Sequence, residues 1–247
     1  MRAYAIGDIH GHLGLLQEAH VLIARDRRLT GDDTAPVVHL GDLVDRGPDS
    51  AGVIDWLVAG PAKGGPWITL KGNHDFMFAL FLDDPRAKDP GLRSDLGWLH
   101  PQLGGPTTLA SYGIADVEAR TLDDLHEEAL AKVPPEHRQF LEALPLMHQT
   151  AGAIFVHAGL RPGIPLDQQK PTDLMWIRAE FHNDRRDHGG LVVHGHTPVD
   201  VPKHYGNRLN LDTGAAYGGP LTVAVIEDGK ATQLTDDGRL PLVPLTY

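Results

Sequence analysis

Residues 36–50 read PVVHLGDLVDRGPDS, and the fold follows from where that run breaks. Val37, Val38 and Leu40 form a short apolar, β-branched run that stops at Gly41-Asp42. A helix-like stretch opens at Asp49, with Asp49 or Ser50 able to cap it. The pattern predicts a buried strand, a glycine turn and a helix start. It leaves a carboxylate, Asp42, just past a strand end, with Arg46 four residues on. An acid and a guanidinium so placed suit a site where a metal meets an anion, although strand-Gly-Asp turns also serve purely structural ends.

The same grammar recurs on both sides. Ala3 to Ile6 reads as a strand running into Gly7-Asp8-Ile9-His10-Gly11, where a carboxylate and an imidazole two residues apart can point the same way. Leu13, Leu16, Ala19, Leu22 and Ile23 then make a helical stripe over residues 12–25. Strand, helix and strand over residues 3–40 form a βαβ crossover with parallel neighbours. His12 and His20 on that helix read as structural or solvated, and His39, inside the second strand, reads as core. A second helix is expected over residues 49–59, then a Gly/Pro loop over 60–66. A third strand, Trp67 to Leu70, ends in Lys71-Gly72-Asn73-His74-Asp75, with a helix from Phe76 to Leu82.

Beyond Asp83 the pattern changes. A polar loop, a turn at Leu103-Gly104-Gly105-Pro106 and two polar helices, at 121–133 and 136–144, carry no metal-like cluster. Residues 84–145 are expected to be a helical excursion shaping one side of the site, within a single domain spanning 1–247. Strands resume at Ala153 to Val156, ending in His157-Ala158-Gly159, and at Leu191 to Val193, ending in His194-Gly195-His196-Thr197. His194 reads as a substrate or supporting contact, or as core. Leu209 to Leu211 leads to Asp212-Thr213-Gly214, and a closing hairpin turns at Asp228-Gly229.

Composition narrows the function. The chain has 247 residues, enough for one large domain, with ordinary hydrophobic (41%) and charged (22%) shares. No cysteine is present, which excludes disulfides and thiolate metal sites and fits a cytoplasmic protein. The apolar stretch near the start is too short for a signal peptide, and no run approaches the roughly 20 residues of a membrane span. A formal charge of -11 argues against nucleic acid as a partner. The 15 histidines against 5 tyrosines and 6 phenylalanines hint at metal ligation, although surface scatter accounts for a share of them. Asp8, His10, Asp42, Asn73, His157 and His196 fall at successive strand ends, where ligands of open α/β sheets gather. Mixed oxygen and nitrogen donors without sulfur point to two divalent ions, manganese or iron first, with zinc admissible and magnesium or calcium less suited.

Taken in order, Gly7-Asp8-Ile9-His10-Gly11, Gly41-Asp42-Leu43-Val44-Asp45-Arg46-Gly47, Gly72-Asn73-His74-Asp75, His157-Ala158-Gly159 and Gly195-His196 resemble the signature set of the phosphoprotein-phosphatase family of two-metal phosphoesterases. Length and detail are similar to its bacterial and phage branch, typified by lambda phosphatase, and to the related symmetrical diadenosine tetraphosphatases. The resemblance implies a calcineurin-like metallophosphoesterase fold, α/β in class with a four-layer, α+β-like build: a β-sandwich flanked by helices, metals at the strand carboxyl ends. It implies one ion on Asp8, His10 and Asp42 and a second on Asp42, Asn73, His157 and His196, so that Asp42 bridges. It further implies in-line attack by a metal-bridging hydroxide, with Arg46 gripping phosphate oxygens, Asn73 beside the substrate, and His74 as leaving-group acid, oriented and kept protonated by Asp45. Arg178, in Trp176-Ile177-Arg178, resembles a second phosphate arginine; its alternative is a surface ion pair.

Asp75 departs from the Gly-Asn-His-Glu of the protein phosphatases and, with His157-Ala158-Gly159, leans towards the dinucleotide enzymes. Asp45, Arg178 and the run from Gly104 to Gly113 lean the other way. The expectation is therefore a phosphomonoesterase whose partners are phosphorylated proteins or small phosphoesters, with no membrane and no nucleic acid. The alternatives are a dinucleoside polyphosphate hydrolase, which would need aromatics such as Trp98 or Tyr112 facing the metals, and a non-catalytic phosphopeptide-binding module. The retained His74, Asp45 and Arg46 argue against the last, because binding needs no leaving-group acid.

Overall fold

Two sheets lie face to face, and their shared edge carries every candidate ligand. The computed structural model describes residues 1–62 and 66–246. The chain runs β1 (Arg2–Ile6), α1 (Leu13–Thr30), β2 (Val37–His39), α2 (Ser50–Ala62), β3 (Trp67–Thr69) and α3 (Asn73–Asp83). The excursion supplies α4 (Gly105–Ser111), α5 (Leu122–Lys132) and α6 (Pro135–Ala143). Then come β4 (Met147–Thr150), β5 (Ala153–Val156), α7 (Pro171–Trp176), α8 (Ala179–His182), β6 (Leu191–His194), β7 (Lys203–His204) and β8 (Arg208–Asn210). The chain closes with β9 (Val223–Glu227), β10 (Lys230–Thr235) and β11 (Gly238–Leu242).

The first sheet has the order β11-β10-β9-β1-β2-β3 and the second β4-β5-β6-β8-β7. Parallel pairing of β1 with β2 (Tyr4 opposite Val37) and of β2 with β3 (Val37 opposite Trp67) follows from the helical crossovers. The second sheet repeats this with β5, β6 and β8. Six parallel strands therefore deliver Asp8, Asp42, Asn73, His157, His196 and Asp212 just past their carboxyl ends.

Period-two alternation builds the layers. In β1, Tyr4 and Ile6 face the core under α1 and α2, while Ala3 and Ala5 face the second sheet. In β5, Phe155 enters the space between the sheets, and Ile154 and Val156 face α7 and α8 together with Phe181. The order is helices, sheet, sheet, helices, the expected four layers. The excursion packs on the first core through Leu109, Leu125, Leu141 and Trp98.

Element boundaries differ from expectation where tertiary contacts override local pattern. Helix α1 runs on to Thr30 and ends at left-handed Gly31, whose N–H reaches Arg27 O. Helix α2 continues through Gly60 and Pro61 where a loop was expected, and residues 63–65 lie outside the described residues. Helix α3 begins at Asn73, three residues early, because Asp75 Oδ2 accepts from Gly72 N–H at 2.8 Å. Strands β4 and β11 gave no sequence signal; β4 is half-buried and β11 largely solvent-facing, and Pro241 sits in an edge strand where its missing donor is tolerated. Among the described residues, no helix is long and apolar enough to cross a membrane.

Candidate metal centre

The ligand set assembles because strand ends bend into unusual backbone shapes. His10, Asp42, Asp45, Arg46 and His196 all adopt positive φ, uncommon for residues with a Cβ and held only where the surroundings over-determine it. Asp42 O accepts from the N–H groups of Ile9 (3.0 Å) and His10 (2.7 Å), which ties the first two loops together. Asp75 ties the second to the third, its Oδ1 accepting from Leu43 N–H at 2.8 Å while Oδ2 holds Gly72. The sequence departure at Asp75 is thus a buried scaffold acid.

Glycine is required at the closest approach. A Cβ on Gly195 would overlap Asp8 Oδ1. Gly195→Ala is expected to displace the Asp8 carboxylate and lower the metal content of purified protein. Unchanged metal content would show that Asp8 does not depend on this packing.

Asp42 lies at the middle of the cluster. Its Oδ2 is 3.4 Å from His10 Nε2 and its Oδ1 3.4 Å from His157 Nε2. His157 Nε2 also lies 3.0 Å from Asn73 Oδ1 and 3.2 Å from His196 Nδ1. Asp8 joins through Oδ2, which accepts from His196 N–H at 2.9 Å. The donor atoms of His10, Asp42 and His74, and of Asp42, His157 and His196, form two compact groups sharing Asp42. All six sequence-derived ligands therefore meet in one place. His74 joins one of those groups as well.

Electrostatics fit a cationic occupant. Burial, with the Asp212 and Asp42 carboxylates beside it, pushes Asp8 well above the usual carboxylate range. Burial also opposes ionisation of Asp42, yet the imidazoles of His157, His74, His10 and His196 outweigh it and hold Asp42 low. Burial pushes Asp212 up to about 6. It lowers His10, His157 and His196, leaving the neutral imidazoles that ligation requires. Asp8 Oδ1 and His196 Nε2 are buried without any hydrogen-bond partner. Unpaired buried donors and acceptors are costly unless something satisfies them, and divalent ions of oxygen and nitrogen preference suit this set.

The cluster floors a cleft of about 320 Å³. Arg46 and Arg178 line it, as do His74, Trp176, Asp212 and Tyr217. Arg46 Nη1 lies 2.8 Å from His10 Nε2, and its guanidinium stands over the Tyr217 ring at 5.5 Å. Arg178, at the head of α8, is exposed and close enough for its charge to act on His157 and His196. His74 Nδ1 donates to Asp45 Oδ2 at 2.6 Å, and both residues are buried.

Other expectations resolve here. His194 is core: it packs edge-on against Phe181 at 5.2 Å, with Arg208 Nη1 3.1 Å from its Nε2. His39 is buried against Thr69 and His20. Trp98 stacks on Phe78 and Tyr112 reaches His137 Nδ1, and neither lines the cleft. The aromatics that do line it, Trp176 and Tyr217, carried no sequence signal beyond neighbouring Arg178 and following Asp212-Thr213-Gly214.

A buried carboxylate–imidazole cluster at strand ends, faced by guanidinium groups, defines a metal-dependent phosphoester-hydrolysing centre. The chain belongs to the calcineurin-like phosphoesterase family, whose model matches residues 1–225, and it is a metallophosphoesterase. It is similar to a serine/threonine-protein phosphatase 1 from Salmonella typhimurium, at 30% identity over 91% of each chain. It is also similar to a bis(5'-nucleosyl)-tetraphosphatase [asymmetrical] from Anoxybacillus flavithermus, at 28% identity over 88% of this chain and 87% of that one. A solved cold-active protein-tyrosine phosphatase of a psychrophilic Shewanella shares the fold, with TM-score 0.63 and 15% identity, covering 98% of this chain and 80% of that one.

Proposed function

We propose that the chain is a phosphomonoesterase acting on phosphorylated serine or threonine side chains. One observation carries the reading: His74, held by Asp45 at 2.6 Å, shares its cleft with both Arg46 and Arg178. Asp8, His10 and Asp42 would hold one divalent ion, and Asp42, Asn73, His157 and His196 the other. When bound, such a pair polarises phosphoryl oxygens and makes water nucleophilic near neutral pH. Arg46 and Arg178 grip the terminal oxygens of the dianion, where transition-state charge spreads. Water attacks phosphorus opposite the ester oxygen and the P–O bond breaks. His74 gives its cleft-side proton to the departing alkoxide, leaving inorganic phosphate and a free hydroxyl.

Hydrolysis of a dinucleoside polyphosphate is the second reading. It is favoured by Tyr217, 68% exposed, and by Trp176, two aromatics that line the cleft and would be available to a nucleobase. An internal phosphorus of such a chain offers only two non-bridging oxygens, so it should depend less on a second arginine.

The test compares a phosphoserine peptide with diadenosine tetraphosphate under the same manganese, for wild type and Arg178→Ala. Wild type is expected to prefer the peptide. The variant should lose at least about tenfold on it, about 1.4 kcal/mol of barrier, and less on the dinucleotide. A wide wild-type preference for the dinucleotide would overturn the ranking. A variant indistinguishable from wild type on the peptide would remove Arg178 from the site.

A further inference from the structure

The acid–carboxylate pair is not finished by the motifs that carry it. Asp45 is fully buried, and its carboxylate is engaged from three sides. Oδ2 accepts from His74 Nδ1 at 2.6 Å and from Trp98 Nε1 at 2.9 Å. Oδ1 accepts from Thr108 Oγ1 at 2.7 Å, with Trp98 Nε1 at 3.2 Å. The Thr108 hydroxyl in turn accepts from Asp45 N–H at 2.9 Å and lies 3.1 Å from Ser50 Oγ. It therefore grips both the side chain and the backbone of Asp45.

Trp98 and Thr108 belong to the excursion, which supplies none of the six ligands. The Trp98 ring is stacked on Phe78 at 5.2 Å and tilted against Phe81 at 4.8 Å, so its N–H is aimed by packing. Gly105, at the head of α4, lies so close to that ring that a Cβ there would meet it, and Gly104 O accepts from Arg46 N–H.

We propose that Trp98 and Thr108 are positioning residues that act through Asp45 to hold the His74 ring in line as a proton donor. The inference rests on the reading of His74 as the leaving-group acid. With both oxygens of Asp45 held by donors, its lone pair at Oδ2 fixes the His74 ring and keeps the Nδ1 proton in place. The opposite ring nitrogen then faces the cleft. A carboxylate that lost the Trp98 or Thr108 donor would rotate, and His74 would present its proton off line. Charge-assisted hydrogen bonds of this kind are strong enough for the loss of one to be visible in rate.

The test uses Trp98→Phe, which keeps the stacked ring and removes the N–H, and Thr108→Val, which keeps the shape and removes the hydroxyl. Each is measured in manganese-loaded full-length protein, alone and combined with Asp45→Asn. The substrates are a phosphoserine peptide, with a poor leaving group, and p-nitrophenyl phosphate, with a good one. Each single variant should lose about tenfold in kcat on the peptide and no more than about twofold on the aryl ester. Added to Asp45→Asn, neither should cost anything further. The downfield proton resonance expected of His74 Nδ1–H on a buried carboxylate, recorded without metal, should shift in Trp98→Phe and vanish in His74→Asn.

Equal losses on both substrates, or losses that add to that of Asp45→Asn, would make Trp98 and Thr108 packing residues and overturn the inference. An Asp45→Asn variant that is itself indifferent to leaving group would instead overturn the acid reading beneath it. Should Trp98→Phe fold poorly, Thr108→Val decides by the same comparison.

Discussion

His74→Asn keeps its metal and loses about 10²–10⁴-fold in kcat on a phosphoserine peptide, the range a positioned general acid typically supplies. On p-nitrophenyl phosphate, whose leaving group departs without help, the loss stays within about tenfold. The expectation follows from geometry: Nδ1 is committed to Asp45, which leaves the other nitrogen of the ring for the cleft. One ring nitrogen of His74 also lies in a compact group with His10 and Asp42. Metal analysis alongside the kinetics therefore separates two roles. If His74→Asn lost one ion and lost rate equally on both substrates, His74 would be a ligand rather than the acid.

Asp42→Asn has the largest expected effect. Its two carboxylate oxygens face different imidazoles, His10 on one side and His157 on the other, each at 3.4 Å. It is the shared member of both donor groups. An amide in its place keeps the shape but withdraws the negative charge from between the two places where cations would be held. Activity should fall at least about 10³-fold on either substrate, about 4 kcal/mol of barrier. Unlike the His74 variant, this one should not distinguish leaving groups, because the loss lies in the nucleophile and the phosphoryl clamp.

The positions of the candidate donors were legible because four of them sit in a local backbone signature. Gly7-Asp8, Gly41-Asp42, Gly72-Asn73 and Gly195-His196 each mark the abrupt end of an apolar strand, and such an end is readable from a few residues. The order of layers was legible too, since alternation in β1 and β5 assigns alternate side chains to different cores. Trp98 and Thr108 were not, because they reach Asp45 across 53 and 63 residues of chain, and the run from Gly104 to Gly113 that holds Thr108 carries no local sign of that contact. In the sequence Trp98 reads as a face for a nucleobase, yet its ring is spent on Phe78 and Phe81 and its N–H on Asp45. Trp176, at the end of α7, and Tyr217 reach the cleft only through the segments that follow β5 and β8. Asp75 looked like a hint of substrate class, and its burial between two loop amides makes it a brace. Half-buried β4 and exposed β11 lacked the apolar alternation that pattern reading requires.

The central claim is a dinuclear centre bridged by Asp42, and counting ions tests it most directly. Protein purified with manganese supplied, then desalted and analysed for metal per chain, should approach two ions in the wild type. Asp42→Asn, treated identically and still folded by circular dichroism, should lose both. A variant that retained its full complement of manganese would contradict the bridging role on which the account of this site depends.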